Sequence, residues 1–138
     1  MIVLDCSAAV EIARDSAEGR ALAGLMHEDE TIVAPSLLLV EASNVAFKYF
    51  RAGLLDRAGA LALLEDSLAL VDGFADMAVL AREALGESMR LGHPAYDLFY
   101  LVLARRLGAT LFTLDKGLLS LCEECGVDTV HELPTDGE

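Results

Sequence analysis

The sequence predicts an α/β fold, with helices covering both faces of a short-stranded, mainly parallel central sheet. Three observations lead there. Short runs of consecutive apolar residues, Ile2-Val3-Leu4, Thr31 to Ala34 and Ala109 to Leu114, read as strands buried on both faces. Segments of helical spacing separate them, as crossover connections require. Two of the runs stop at an aspartate, Asp5 and Asp115, and a helix follows each.

After Asp5, the stretch Ser7-Ala8-Ala9-Val10-Glu11 reads as a helix start with Ser7 placed to cap it, and the helix should run to about Arg14. Asp5 lies where ligands gather in open α/β sheets, outside a strand's carboxyl end, although helix capping is an ordinary use for it. Asp15-Ser16 caps a second helix, Ala17 to about His27, with Ala21, Leu22, Leu25 and Met26 on one face. Thr31 to Ala34 follows, and Pro35-Ser36 opens a long helix from Leu37 to about Ala52, stopped at Gly53. Glu41 interrupts its apolar start. Burying that charge unpaired would cost several kcal/mol. It therefore faces either solvent beside Lys48 or a polar cleft.

Asp56 caps a helix from Arg57 to about Ala69, and Val71 to Phe74 reads as a minor strand. Asp76 starts a helix from Met77 to Leu91, with Leu80, Ala84 and Leu91 inward and Arg82, Glu83, Glu87 and Arg90 outward. Gly92-His93-Pro94 is a break. The dense apolar run Ala95 to Ala104 carries Asp97 in its first turn, where free N–H groups and the positive dipole end favour an anion. Arg105-Arg106-Leu107-Gly108 closes this helix. Ala109 to Leu114 and Asp115 repeat the opening plan of strand, acid and helix, here Lys116 to about Cys125. Thr129 to His131 reads as a last strand before the polar tail from Pro134.

The 138 residues show no repeat or linker and read as one domain, 1–138, long enough to bury roughly two-thirds of its unfolded surface. Three cysteines, with no secretory or spanning segment in view, lead to the expectation of a soluble cytoplasmic protein without membrane contact. Ten Lys and Arg against 23 Asp and Glu give a formal charge of -13. That balance argues against broad electrostatic binding to nucleic acid and suits a basic protein partner. Any chemistry on nucleic acid must be local and cation-assisted.

In a parallel sheet Asp5 and Asp115 project from one edge, and Asp97 and Glu41 sit near the ends of helices entering it. Two unit charges about 4 Å apart repel by about 4 kcal/mol at an effective dielectric of about 20, so clustered carboxylates need a cation or protons. Oxygen ligands alone fit Mg²⁺ or Mn²⁺ better than Zn²⁺. Such a cation activates water and polarises a phosphoryl oxygen, which makes phosphodiester hydrolysis the natural reaction.

Val3-Leu4-Asp5-Cys6-Ser7, Val40-Glu41 after Pro35-Ser36, Tyr96-Asp97 with Leu98 to Ala104, and Leu111 to Asp115 together resemble the PIN-domain ribonucleases, in particular VapC-type toxins of toxin–antitoxin pairs. The resemblance covers nearly the whole chain. It implies a PIN-like three-layer α/β/α fold and a Mg²⁺- or Mn²⁺-dependent endoribonuclease whose acidic site is Asp5, Glu41, Asp97 and Asp115. Ser7 and Thr113 match the hydroxyl positions that support those acids. It also implies a homodimer, and a cognate antitoxin whose basic segment enters the acidic groove. Cys6 departs from the Thr or Asn commoner after the first acid. RNA contact falls to cations such as Arg14, Lys48, Arg51 and Lys116.

Other features have ordinary readings. Cys122-Glu123-Glu124-Cys125 has the spacing of a zinc or redox pair, but no second cysteine pair accompanies it, so an incidental role is expected. His93 could approach the cleft, but reads as a loop histidine. Tyr96, Phe99 and Tyr100 read as core and dimer contacts rather than base-stacking platforms. An aspartyl-phosphate hydrolase would need a second aspartate two residues after Asp5, where Ser7 stands. The rival to a nuclease is the same fold used as a non-catalytic protein- or RNA-binding subunit.

Overall fold

In the computed structural model, which describes residues 1–130, four short strands form one parallel sheet in the order β3-β2-β1-β4. These are β1 (Ile2–Leu4), β2 (Ile32–Pro35), β3 (Gly73–Ala75) and β4 (Thr110–Phe112). Val3 stands opposite Val33 on one side and Leu111 on the other, and Leu4 stands opposite Phe112. β1 is central, with neighbours on both edges and helices on both faces, and all three of its residues are at most 1 % exposed.

The pleat divides the core. Ile2 and Leu4 pack with Ala8 and Ala9 of α1 (Cys6–Ala13), Leu22 of α2 (Ala17–Ala23) and Leu38 and Ala42 of α3 (Leu37–Arg51). Val3 points the other way, to Leu80 of α5 (Met77–Leu91), Leu98 and Leu101 of α6 (Ala95–Leu107) and Leu118 of α7 (Lys116–Cys125). α4 (Arg57–Ala69) adds Leu63 against Val10 and Ala46. The alternation of side chains along each strand thus produces three layers, as a period of two requires.

Five helices begin on a side chain that accepts a backbone N–H. Asp5 takes Ala8, Ser16 takes Gly19, Asp56 takes Gly59, Asp76 takes Ala78 and Asp115 takes Leu118. α3 and α6 have no such bond at Ser36 and Pro94. Gly92, Gly108 and Gly126 end α5, α6 and α7 in the left-handed conformation that glycine adopts without strain.

Several expectations need correction. Ser7 lies inside α1 and does not cap it; Asp5 does. α2 stops at Ala23, before Gly24, and Leu25 is left exposed. β3 starts two residues after Val71 and ends one after Phe74, because Gly73, Phe74 and Ala75 pair with Val33, Ala34 and Pro35. Leu39 and Val40, within the apolar start of α3, are 40 % and 63 % exposed, because only one face of that helix meets the sheet. The ladder leaves β4 after Phe112, whose carbonyl accepts the Asp5 N–H. Thr129 bridges Leu111 in parallel, while His131 and the tail from Pro134 lie outside the described residues. Glu83 and Glu87 face a neighbouring helix rather than water alone: Arg105 reaches both at 2.8 and 3.0 Å, and Arg106 reaches Glu83 at 2.7 Å. Among the described residues no helix is long and apolar enough to cross a membrane.

α1 and α2 approach so closely at Gly19 that a Cβ there would lie 2.0 Å from the Glu11 carbonyl oxygen. Gly86, within α5, has nothing within 4 Å of the same position. Gly19→Ala should destabilise the fold by about 3 kcal/mol through overpacking against backbone. Gly86→Ala should stabilise it by about 0.5–1 kcal/mol through helix propensity. Urea unfolding of the two variants beside the parent chain checks both signs.

Candidate functional site

The chain runs from β1 outward through β2 to β3 and then returns to the opposite side of β1 as β4. The loops leaving β1 and β4 therefore diverge, and a crevice opens between the carboxyl ends of two adjacent strands. Asp5 leaves β1 into that crevice, and Thr113-Leu114-Asp115 leaves β4 into it.

Asp5 is 5 % exposed, and both carboxylate oxygens are held. Oδ1 accepts the Ser7 hydroxyl at 2.7 Å and the Ala8 N–H at 2.9 Å, and Oδ2 accepts the Thr113 hydroxyl. The Leu114 N–H donates to Ser7 Oγ at 2.9 Å, and the Asp115 N–H donates to Thr113 Oγ1 at 3.0 Å. Ser7 and Thr113 thus stitch the two strand ends together through a carboxylate. They lie 3.3 Å apart.

The other acids come from helices. Glu41, one turn into α3, accepts the Tyr100 phenol on Oε1 at 2.5 Å instead of lying in a solvated stripe with Lys48. Asp97, in the first turn of α6, lies 2.8 Å from His93 Nε2. Asp115 caps α7 through Leu118 at 3.1 Å. Asp5, Glu41, Asp97 and Asp115 all line one cleft of about 410 Å³, together with Ser7, Tyr49 and Tyr100. Glu11 and Glu18 line it too, which makes six acids, and its described lining includes no lysine or arginine.

Burial, with like charge adding to it, perturbs these groups. Burial, and secondarily the Asp97 charge, lifts the Asp5 carboxyl to about 6, against the pull of the Thr113, Ala8 and Ser7 donors. Burial also raises Glu41, with Asp97 adding repulsion and the Tyr100 hydroxyl opposing both. Cys6 is pushed up to about 12 by burial and by the neighbouring Glu41 and Asp5 charges, so it is a thiol at neutral pH. Tyr100 is raised by burial and by Glu41, and remains a donor.

Among the described residues, no three His, Cys, Asp or Glu side chains close on a single point tightly enough to hold an ion. Each of the four acids instead takes a hydrogen bond from the protein. The donor set still fits a hard cation: carboxylate and hydroxyl oxygens surround a cleft wide enough for water, and Mg²⁺ keeps several waters while binding one or two carboxylates directly. A cation near Asp5 and Asp97 would offset the burial cost that chiefly raises Asp5, and with it the weaker repulsion from Asp97.

Three of these neighbours were discounted or missed in the sequence. Tyr100 is three residues after Asp97, a helical spacing that puts both on one side of α6; His93 precedes the helix, beyond the extended Pro94, so its pairing with Asp97 has no helical signal. Glu18 enters through the α1–α2 turn, for which no local signal exists.

A four-stranded parallel sheet between helical layers, with an acid-lined cleft at its switch point, defines a class of α/β protein whose site is built from carboxylates at strand and helix ends. A family profile described as PIN domain matches residues 2–124, and the chain belongs to the PIN-domain family. The crystal structure of PAE2754 from Pyrobaculum aerophilum is similar at 26 % identity and a TM-score of 0.68, covering 86 % of this chain and 77 % of that one. VapBC2 from Rickettsia felis, bound to a DNA fragment from their promoter, shares the fold at 19 % identity and a TM-score of 0.64, covering 88 % and 92 %. No curated protein matches the chain.

Asp5 binds its proton more tightly in the folded chain, at about 6, than at its ordinary 3.8. Metal-free stability should therefore fall as pH rises from about 4 to about 6 and stay level above, a loss of about 3 kcal/mol. Asp5→Asn keeps the acceptor for Ala8 and should flatten this fall, leaving stability at pH 7 equal or higher. Urea unfolding in EDTA from pH 4 to 7 measures it. A large loss of stability in the variant would mean that the charge is needed for capping.

Proposed function

We propose that the chain is a metal-dependent endoribonuclease hydrolysing RNA phosphodiester bonds, and the toxin of a toxin–antitoxin pair. One observation carries the reading: four acids far apart in the chain, Asp5, Glu41, Asp97 and Asp115, line a single cleft at the switch point of a PIN-family sheet. Asp97 repels both Asp5 and Glu41 there. Such a grouping costs stability, and cation binding accounts for it.

In this reading the four acids hold Mg²⁺ or Mn²⁺, and Ser7 and Thr113 fix Asp5. A bound cation of this kind supplies a water of lowered pKa and polarises a phosphoryl oxygen. The chain's own groups do the rest. Three donors immobilise Asp5, so it is pre-oriented. Tyr100 occupies Glu41 Oε1 and leaves Oε2 to serve the cleft. Arg14 is committed to Glu11 at 2.7 Å and to the Tyr49 ring, so phosphate contact falls to the exposed Lys48, Arg51 and Lys116.

The same charge supports the partner assignment. A cleft with six acids, in a chain of formal charge -13, suits the basic segment of an antitoxin. Val40, Phe47 and Tyr96, 63 %, 53 % and 65 % exposed around a depression beside Glu41, suit contact with a second copy in a homodimer.

Purified chain freed of any partner should cleave RNA with Mn²⁺ or Mg²⁺ and stop in EDTA. Asp97→Asn should lower the rate by about 100-fold or more. If the parent chain cleaves no RNA with either metal, the non-catalytic binding subunit takes its place.

A further inference from the structure

We propose that His93 is a positioning residue that aims the Asp97 carboxylate at the cation, an inference that rests on the metal-dependent reading above. His93 Nε2 lies 2.8 Å from Asp97 Oδ2, and the two side chains are only 30 % and 26 % exposed. An ionised carboxylate can only accept, so Nε2 carries the hydrogen of this bond.

The histidine does not belong to a free loop. Gly92 ends α5 in the left-handed conformation, the His93 N–H donates to the Ser88 carbonyl at 3.2 Å, and the Ser88 hydroxyl donates to the His93 carbonyl. Pro94 then fixes the backbone on the other side, at φ -56°, before α6 begins. Ring atom Cε1 lies 3.9 Å from where a Cβ on Gly117 would stand, two residues after the Asp115 cap. The imidazole is thus held between the turn that ends α5 and the start of α6, which carries Asp97.

This clamp addresses a specific competition. α6 has no side-chain cap, so its first N–H groups attract any nearby carboxylate, and Asp97 is the acid in that first turn. Asp5 and Asp115 both give an oxygen to such N–H groups, of Ala8 and Leu118. The bond Asp97 makes is to an imidazole instead. With Oδ2 held by His93, Oδ1 is left to a cation, the arrangement by which outer hydrogen bonds orient metal-binding carboxylates.

The test is Mn²⁺ binding to the full, partner-free chain, followed by electron paramagnetic resonance of the free ion and paired with RNA cleavage. His93→Ala and His93→Phe should weaken Mn²⁺ binding by about 10–100-fold. His93→Gln, whose amide N–H reaches the same oxygen, should recover most of the loss, with the metal-free thermal midpoint unchanged. Saturating Mn²⁺ should return cleavage by His93→Ala towards the parent rate. The inference is overturned alone if Asp97→Asn loses Mn²⁺ while both His93→Ala and His93→Phe bind as the parent does, or if His93→Gln binds no better than they do. If the parent chain binds no Mn²⁺, or binds it equally well as Asp97→Asn, the metal-dependent reading fails and this inference falls with it.

Discussion

Everything at the cleft depends on a buried carboxylate that must be held without being neutralised. Asp5 sits where β1 ends, almost out of water, and its two oxygens take three donors: the Ala8 N–H and the Ser7 hydroxyl of its own helix, and the Thr113 hydroxyl from the neighbouring strand end. An unsatisfied charge there would cost several kcal/mol. Supplying the donors ties β1 to β4 and starts α1 in the same set of bonds. Capping and site-building are therefore one arrangement for Asp5, and the ordinary reading of the residue and the functional one are both physically correct.

The helical acids follow a different logic. Asp5 and Asp115 cap the helices they begin, but Glu41 and Asp97 are delivered by α3 and α6, the two helices whose starts carry no side-chain cap bond. Neither acid is tied to the backbone by the hydrogen bonds described above, and each is steered by a side chain of the same region, Tyr100 for Glu41 and His93 for Asp97. A carboxylate steered by a side chain can be aimed into a cleft, whereas one that caps a helix is aimed along its axis. The cleft thus joins two backbone-anchored acids at strand ends to two aimed acids from helices.

Away from the cleft, polar side chains serve packing. The Glu83, Glu87, Arg105 and Arg106 pairs join α5 to α6, and Arg90 adds a bond to Glu87 at 2.6 Å and a contact to Cys125 Sγ at 3.7 Å. These groups are partly exposed, so each pair is worth little alone, and a network sharing two glutamates is worth more. The two-cysteine spacing resolves in the same way. Cys122 is buried in the core with a thiol lifted to about 12, chiefly by burial, which leaves it a small apolar side chain at neutral pH.

What the chain alone determined was local. Ile2-Val3-Leu4 is apolar on both faces and so had to be a doubly covered strand; Asp56, Asp76 and Asp115 start helices because their short side chains reach N–H groups within three residues; Gly92, Gly108 and Gly126 stop them by accepting a positive φ. The helices α4, α5 and α7 were legible almost to the residue for that reason. Which residue caps α1 was not, because Asp5 and Ser7 are both chemically able to, and the choice fell to the strand end that leaves Asp5 at the N-cap position. Tertiary structure alone decided the strand order, and with it the crevice between β1 and β4, because pairing across 108 residues carries no local signature. It also decided that Glu41 turns from Lys48 to Tyr100, and that Glu18 joins the cleft. The pairing of His93 with Asp97 was also left to the fold, because the extended Pro94 between them breaks the helical spacing.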